Sequence, residues 1–328
     1  MKYDFITIGG ATLDIAFFTD KGILLDNKKD LLRQKLLAFE YGAKIKVDQF
    51  ANLFGGGAAN AAVNLSGLGF KTAMIAEVGS DETGRKILNN LKNKRVTTSF
   101  VKINQKVDSG LSFIIITESG ERIIFTHRGA NDNFSLKDSD LKILKTTSNI
   151  YLASLTGSWL GDLKKIFSLS GPRIFWNPGE AQYEKGLRVL APFLKKTYCL
   201  MLNRDEALAL VSSDKKFAAK KRSWFNNENN LLEAVKSYGP EIVVITDGPK
   251  GAYFYDGKKV YYQKTVKEKK YVDSTGIGDA YNSTFAAGLV ITSGNIAESA
   301  YLASRNAASK IAHLGAQNGL LTKKELLK

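Results

Sequence analysis

Short β-rich runs alternate with helical patterns along most of this chain, and that rhythm limits its fold more than any other feature. Asp4–Gly9 (DFITIG), Lys71–Gly79 (KTAMIAEVG), Ile150–Ala153, Arg173–Trp176, Cys199–Leu202 and Ile242–Thr246 (IVVIT) read as buried strands. Helical stretches lie at Ala58–Leu68, Thr83–Leu91, Leu231–Tyr238, Ala280–Ile291 and Ile296–His313. Apolar strands that alternate with helices pack as a mostly parallel sheet of the α/β class. Two regions break the rhythm. Residues 15–54 are charged and poorly periodic, and residues 98–128 contain Leu111–Thr117 and Arg122–His127. Those two runs, joined by Glu118-Ser119-Gly120-Glu121, have the pattern of a β-hairpin with a glycine-containing turn. No repeat or low-complexity linker divides the chain. The expectation is one α/β domain over residues 1–328, with a small β lid made from the inserts at 15–54 and 98–128.

Composition removes several function classes. The longest apolar run, Phe285–Ile291, is far short of the roughly 18 residues of a membrane span. Asp4 interrupts the first apolar run and no small-residue cleavage site follows it, so a cytoplasmic protein with no membrane partner is expected. A single cysteine, Cys199, excludes an intrachain disulfide, and with only His127 and His313 beside it a Cys- or His-rich metal site is not expected. The net charge of +15 attracts anions, nucleic acid and nucleotides alike. Its lysines and arginines are dispersed, with modest clusters at Lys215–Arg222 and Lys264–Lys270, and no nucleic-acid-reading motif accompanies them. They read as solvated surface, and no nucleic-acid partner is expected.

Several catalytic motifs are absent. Gly79–Arg85 (GSDETGR) lacks the lysine and hydroxyl residue of a P-loop. No G-x-G-x-x-G follows the first strand, and no G-x-S-x-G elbow occurs. His127-Arg128-Gly129 resembles a protein-kinase catalytic loop only superficially.

Two glycine clusters remain. Asp273-Ser274-Thr275-Gly276-Ile277-Gly278-Asp279 runs directly into a helical pattern. Glycines there allow a tight turn, and the amides of the following helix N-terminus converge on a point that binds anions. A carboxylate beside such a hole can accept a proton from an attacking hydroxyl. A plain glycine turn with Asp279 as a favourable first-turn acid, worth about 0.3–1 kcal/mol, explains the same residues. Gly55-Gly56-Gly57-Ala58-Ala59-Asn60 opens a helix of small residues, where Asn60 offers a donor and an acceptor to hydroxyls. A loop leading into a closely packed alanine-rich helix is the alternative.

Together the clusters carry a resemblance. GGGAANAAVNLSGLG at 55–69 and DSTGIGDAYNSTFAAGL at 273–289 resemble, in order, the paired signatures of the ribokinase-like (PfkB) family of carbohydrate and nucleoside kinases, and the likeness extends to GGATLD at 9–14. The resemblance implies a doubly wound, mostly parallel sheet with a β lid. It also implies Asp279 as catalytic base, with the amides of Gly276, Ile277 and Gly278 as anion hole. The family usually carries alanine at the position of Ile277. Asp273 resembles a residue that helps hold a monovalent cation, with K+ as the implied ion. Asp14, Gly56, Gly57 and Asn60 match sugar-binding positions, and Arg128, after the hairpin, is expected to reach substrate or phosphate. Asn203 and Glu206, in Asn203-Arg204-Asp205-Glu206, match an Asn-x-x-Glu motif that organises Mg2+ and phosphates, and they equally fit a helix capping box. Thr246, Gly248 and Gly251 resemble the lining of the nucleotide pocket, with Asn306 bordering adenine.

The implied activity is transfer of the γ-phosphoryl group of Mg·ATP to a sugar hydroxyl, with a nucleoside as alternative acceptor. The chain has GGGAAN where ribokinases have GGKGAN, which points away from ribokinase itself. Two other classes stay open: a non-catalytic sugar or nucleotide sensor on the same fold, and, on charge alone, a nucleic-acid binder. A homodimer formed through the lid is a further expectation of the resemblance.

Overall fold

The computed structural model describes residues 2–26, 35–47, 49–117, 122–268 and 270–328. The expected hairpin turn at 118–121 lies outside them. Its strands are β1 (Tyr3–Ile8), β2 (Thr12–Phe18), β3 (Ile23–Asp26), β4 (Lys35–Ala38), β5 (Gln49–Gly55), β6 (Thr72–Gly79), β7 (Thr97–Asn104) and β8 (Gly110–Ile116). They continue with β9 (Arg122–His127), β10 (Thr147–Leu152), β11 (Arg173–Trp176), β12 (Cys199–Asn203), β13 (Ile242–Thr246), β14 (Ala252–Tyr255) and β15 (Val260–Gln263). The main sheet has nine strands in the order β15-β14-β13-β12-β11-β10-β1-β6-β7. From β13 through β7 every pairing is parallel, and β14 and β15 close one edge antiparallel. The chain winds outward from β1 in both directions, the doubly wound α/β fold. Such sheets gather ligands at the carboxyl ends of their strands.

Strand periodicity divides the core. Side chains alternate between the two faces of a strand. Phe5, Met74, Tyr151, Cys199 and Met201 therefore pack into one apolar cluster, and Ile6, Ile8, Ile75, Leu152, Leu200 and Leu202 into the other. Burial on both faces explains why these strands read as continuous apolar runs. Each fully buried large side chain contributes about 1.5–3 kcal/mol.

Four helices position the site: α1 (Gly57–Gly67), α2 (Arg204–Ser212), α3 (Ile277–Ile291) and α4 (Ile296–Ile311). α1 is buried continuously from Ala58 to Leu65. Its alanines let it lie close against α3, whose own buried run extends from Ala280 to Leu289. α4 packs along α3. Among the described residues, no helix is long and apolar enough to cross a membrane.

The second sheet has four strands in the order β5-β2-β8-β9, and β3 and β4 form a separate ribbon. It takes its strands from residues 12–55 and 110–127. Thr97–Asn104 joins the edge of the main sheet parallel to β6, so the second insert enters the small sheet at Gly110 and not near residue 98. An edge strand is half-exposed and lacks the apolar run of the central strands, so the local pattern of β7 did not separate it from the hairpin. The small sheet alternates in β8, whereas β9 is exposed from Ile124 onward on both faces. Asp14, Ala16, Ser112, Ile114 and Ile116 face inward and are buried, whereas Phe113, Phe125 and Phe50 on the other face are exposed.

Candidate active site

The Asp273–Asp279 segment forms the entry to α3. Asp273 shapes the loop: its Oδ1 accepts hydrogen bonds from Thr275 N at 2.8 Å and Thr275 Oγ1 at 2.7 Å. Gly276 is the N-cap residue, left-handed at φ 74. A Cβ on it would sit 2.4 Å from Ala316 Cβ, so both backbone angle and space require glycine. No side chain caps this helix, and its first-turn N–H groups face outward without the intrahelical partners that later turns supply. Ile277 N reaches Ser274 O only at 3.4 Å. Gly278 is exposed, with no atom within 4 Å of where its Cβ would be. Protein packing alone does not demand glycine there.

Asp279 stands in this first turn. Burial raises its carboxyl above the usual aspartate range, opposed by a hydrogen bond from Asn60. That bond, Asn60 Nδ2 to Asp279 Oδ2 at 2.8 Å, joins residues 219 positions apart and brings the two glycine clusters together. Gln317 Nε2 donates to Asn60 Oδ1 at 3.0 Å, and Asn90 Nδ2 donates to Gln317 Oε1 at 2.8 Å. The chain fixes which end of the Asn60 amide faces the aspartate. Gly56, at φ 90, admits no side chain because Gly10 O would lie 2.4 Å from a Cβ. Gly57 lies over the aspartate, its virtual Cβ 3.4 Å from Asp279 Oδ1.

Asp14 projects from the inner face of β2. Its Oδ1 accepts from Thr12 Oγ1 at 2.9 Å. Burial raises its carboxyl, Ser112 and Thr12 lower it, and the Asp273 charge adds a smaller upward push. Asp14 is thus within electrostatic range of the α3 entry loop.

Beside that loop lies a cavity of about 560 Å3, of nucleotide size. Asn203, Thr246, Gly248, Gly251, Ile277 and Gly278 all line it. The Ile277 side chain, where the family has alanine, therefore forms part of its wall. Asn203 also caps α2. Its Oδ1 accepts from Glu206 N at 2.9 Å, and Glu206 Oε2 accepts from Asn203 N at 2.8 Å. The capping box is formed. The Glu206 carboxyl is pushed up to about 7 by burial, with a further contribution from the Asp279 charge. A carboxyl that the charge of a second one helps to raise suits a site for a divalent cation. Among the described residues no group of three or more His, Cys, Asp or Glu could hold a metal alone, so phosphate oxygens and water would have to complete its shell.

One expected residue sits elsewhere. Asn306 is fully buried on the far side of α4, where its Nδ2 donates to Asn64 Oδ1 at 2.8 Å and Thr284 Oγ1 at 2.7 Å. Its Oδ1 accepts from Leu321 N at 2.8 Å. Ala307 and Ala308, the next residues, line the cavity instead. One residue along a helix turns a side chain by 100°, and that phase removes Asn306 from the nucleotide wall. Arg128 is exposed at the start of a short turn. Arg122, at the start of β9 on the inner face, is the arginine that bonds Ser274 in the entry loop. Its inward register on the hairpin, two-residue steps from Ile124 and Thr126, was a usable signal.

Sequence reasoning also missed Gln317, Asn131 and Lys310. Asn131 pins the β1–β2 connection, accepting from Ala11 N and donating to Ala11 O, each at 3.0 Å. Lys310 is fully buried on α4, in helical phase with the buried Ser299, Ala303 and Asn306, and that phase marked it as inward-facing.

A family model described as pfkB family carbohydrate kinase matches residues 29–323. A protein of Archaeoglobus fulgidus, described as an uncharacterized sugar kinase, is 32% identical over 79% of this chain and 98% of its own length. Among solved structures, Arabidopsis thaliana ribokinase complexed with ribose and ATP superposes with a TM-score of 0.80 at 19% identity, covering 100% of this chain and 98% of that one. Burkholderia thailandensis nucleoside kinase in complex with inosine gives a TM-score of 0.76 at 18% identity, covering 98% and 96%.

Proposed function

This chain belongs to the pfkB family of carbohydrate kinases, and from that premise we propose that it transfers the γ-phosphoryl group of ATP to a hydroxyl of a small sugar, with Asp279 as the base. At the coarser level it is a phosphotransferase of the ribokinase type acting on an alcohol group of a sugar or nucleoside. The observation that carries the finer reading is the Asn60–Asp279 bond at the uncapped N-terminus of α3. It joins the Gly55–Asn60 loop, a half-buried carboxylate and the uncapped end of a helix at one point.

In this mechanism Asp279 accepts the proton as the acceptor oxygen attacks the γ-phosphorus and the bond to the bridging β–γ oxygen breaks. Asn60 keeps the carboxylate oriented. The amides at 276–278 receive the negative charge of the transferring group, where removal of one such donor typically costs about 10²–10³ in kcat. Asp14 accepts bonds from sugar hydroxyls, and Thr246, Gly248 and Gly251 flank the nucleotide. A bound Mg2+ supplies charge neutralisation on the phosphates, and Glu206 with Asn203 are the residues that would hold its hydration shell. The small sheet serves as a lid whose closure excludes water and suppresses ATP hydrolysis. Its outer face, with Phe50, Phe113 and Phe125 exposed, supports a second proposal, that two copies pair through the lids. Sedimentation of the wild type against Phe113→Asp tests that pairing, and a dimer that survives the charge refutes it.

ADP release from Mg·ATP, measured with a panel of sugars, sugar phosphates and nucleosides, tests the reaction. Release that depends on a sugar is the expected outcome. Release only with a nucleoside moves the acceptor to the second reading, which the nucleoside-kinase fold match keeps in view. Tight ATP binding with no release for any acceptor supports the non-catalytic sensor.

A further inference from the structure

The lysine buried in α4 sits where the family resemblance implies an ion. Lys310 has no exposed surface, and its ammonium is ringed by oxygens of the α3 entry loop and of the turn after α4. Lys310 Nζ donates to Asp273 O at 2.8 Å and to His313 O at 3.4 Å, and lies 3.7 Å from Asp273 Oδ2. The carboxylate is otherwise engaged. Oδ2 accepts from Gly315 N at 2.7 Å, and Oδ1 accepts from both Thr275 groups. Backbone bonds from Val272 N and Asp273 N to Ile311 O tie the same two segments together. These residues do not fit a monovalent cation at Asp273. Its oxygens are occupied by donors, and the Lys310 ammonium, which burial lowers to about 8 and the Asp273 charge supports, already stands beside them.

The position is strategic. The turn that Lys310 anchors carries Ala316, which packs on Gly276, and Gln317, which orients Asn60. Arg122, bonded to Ser274, lies close enough to Lys310 for their charges to repel, so a second fixed cation borders the same loop. The loop that meets phosphate is thus braced and made electropositive by side chains alone.

We infer that the Lys310 ammonium is a built-in replacement for a monovalent ion: it clamps the Asp273 backbone to the turn at 312–316 and frees nucleotide binding from any requirement for K+. Lys310 is a positioning residue in this scheme and does not touch substrate. The nucleotide part of the inference rests on the kinase reading, whereas the bracing part does not.

The test uses the full chain in matched KCl or choline chloride, with the melting temperature of the ligand-free protein and the Kd for Mg·ADP as readouts. For the wild type both quantities should be the same in the two salts, within about twofold in Kd. Lys310→Ala leaves an oxygen-lined hole. Its Kd in choline should rise by about tenfold or more and its melting temperature fall, and K+ or methylammonium should recover both specifically. Lys310→Met fills the hole without charge, so it should show the same loss with no recovery, and this variant decides the matter if the alanine variant does not fold. A wild type that K+ specifically stabilises or tightens overturns the inference. So do variants that match the wild type in choline, or an alanine variant whose loss no cation repairs. A wild type that fails to bind ADP refutes the kinase reading, while the melting temperatures still decide the role of the lysine.

Discussion

The two sheets obey the same period-two rule and reach opposite ends. The central strands of the nine-stranded sheet are buried on both faces, so each of them contributes to two cores at once. The four-stranded sheet buries one face over the site through a small cluster of Ala16, Ile114 and Ile116, and shows phenylalanines on the other. Their functional groups differ in the same way. At the carboxyl edge of the large sheet, Asp279 and the α3 entry loop are braced by Asn60, Gln317 and Lys310, all from elsewhere in the fold. On the small sheet, Asp14 is held by Thr12 and Ser112 within its own sheet, and Arg122 reaches the entry loop through Ser274. That division fits the proposed mechanism, in which the catalytic end needs fixed geometry because misplacement by an ångström is costly, whereas the acceptor end must open for its substrate.

The largest break in this comparison is Asp279→Asn. Turnover should fall by about 10²–10⁴, the usual contribution of a general base, while circular dichroism and ADP affinity stay near wild type. Retention of turnover would remove the base from the scheme. Next is Asp14→Asn, which should lower kcat/KM for the acceptor by roughly 10–150-fold, the range expected for a charged hydrogen bond, with the KM for ATP unchanged. An equal change in the ATP parameter would show that the two ends are not separate.

The glycines sharpen the catalytic side. Gly276→Ala meets both a left-handed backbone and Ala316, and should destabilise the protein by about 1–3 kcal/mol in denaturant titrations. Gly278→Ala meets nothing in the protein. It should fold as wild type yet weaken Mg·ADP binding, and unaltered affinity would place the phosphates elsewhere.

The pH dependence follows from the direction of the carboxyl shifts. In the proposed mechanism Asp279 works as a carboxylate, and burial raises its pKa, so kcat/KM should decline on acidification through a value above the ordinary aspartate range. The same sign governs stability. A carboxyl raised in the folded state is destabilising when ionised. Its stability contribution is complete below the unfolded value and lost as pH rises through the folded one. For Glu206 that window runs from 4.5 to about 7. Glu206→Gln keeps the capping geometry, so the metal-free variant should melt higher than wild type at pH 8 and equally at pH 4. The smallest functional effect belongs to Asn306→Ala. It should cost about 1–3 kcal/mol of stability by leaving Asn64 Oδ1 and Leu321 N without the partners Asn306 supplies, with nucleotide affinity unchanged.

The strands at Asp4–Gly9 and Ile242–Thr246 were legible because a doubly buried strand must be apolar throughout. The glycine clusters were legible because backbone angles such as those of Gly56 and Gly276 restrict residue type locally. The strands β2, β5, β14 and β15 were not, since short or half-buried segments carry no comparable doubly buried run. Their pairing rests on partners distant in the chain.

The sequence by itself determined the α/β class, the two loops that meet at the site and the residue types able to bind anions, all properties that backbone geometry writes into neighbouring residues. Tertiary structure decided which side chains arrive. It turned Asn306 into the core and left Ala307 and Ala308 in the cavity, chose Arg122 over Arg128, aimed Asn60 at Asp279 and set Lys310 against Asp273. Local phase and register mark a side chain as inward-facing, but which partner it meets depends on contacts between segments 37 to 219 residues apart.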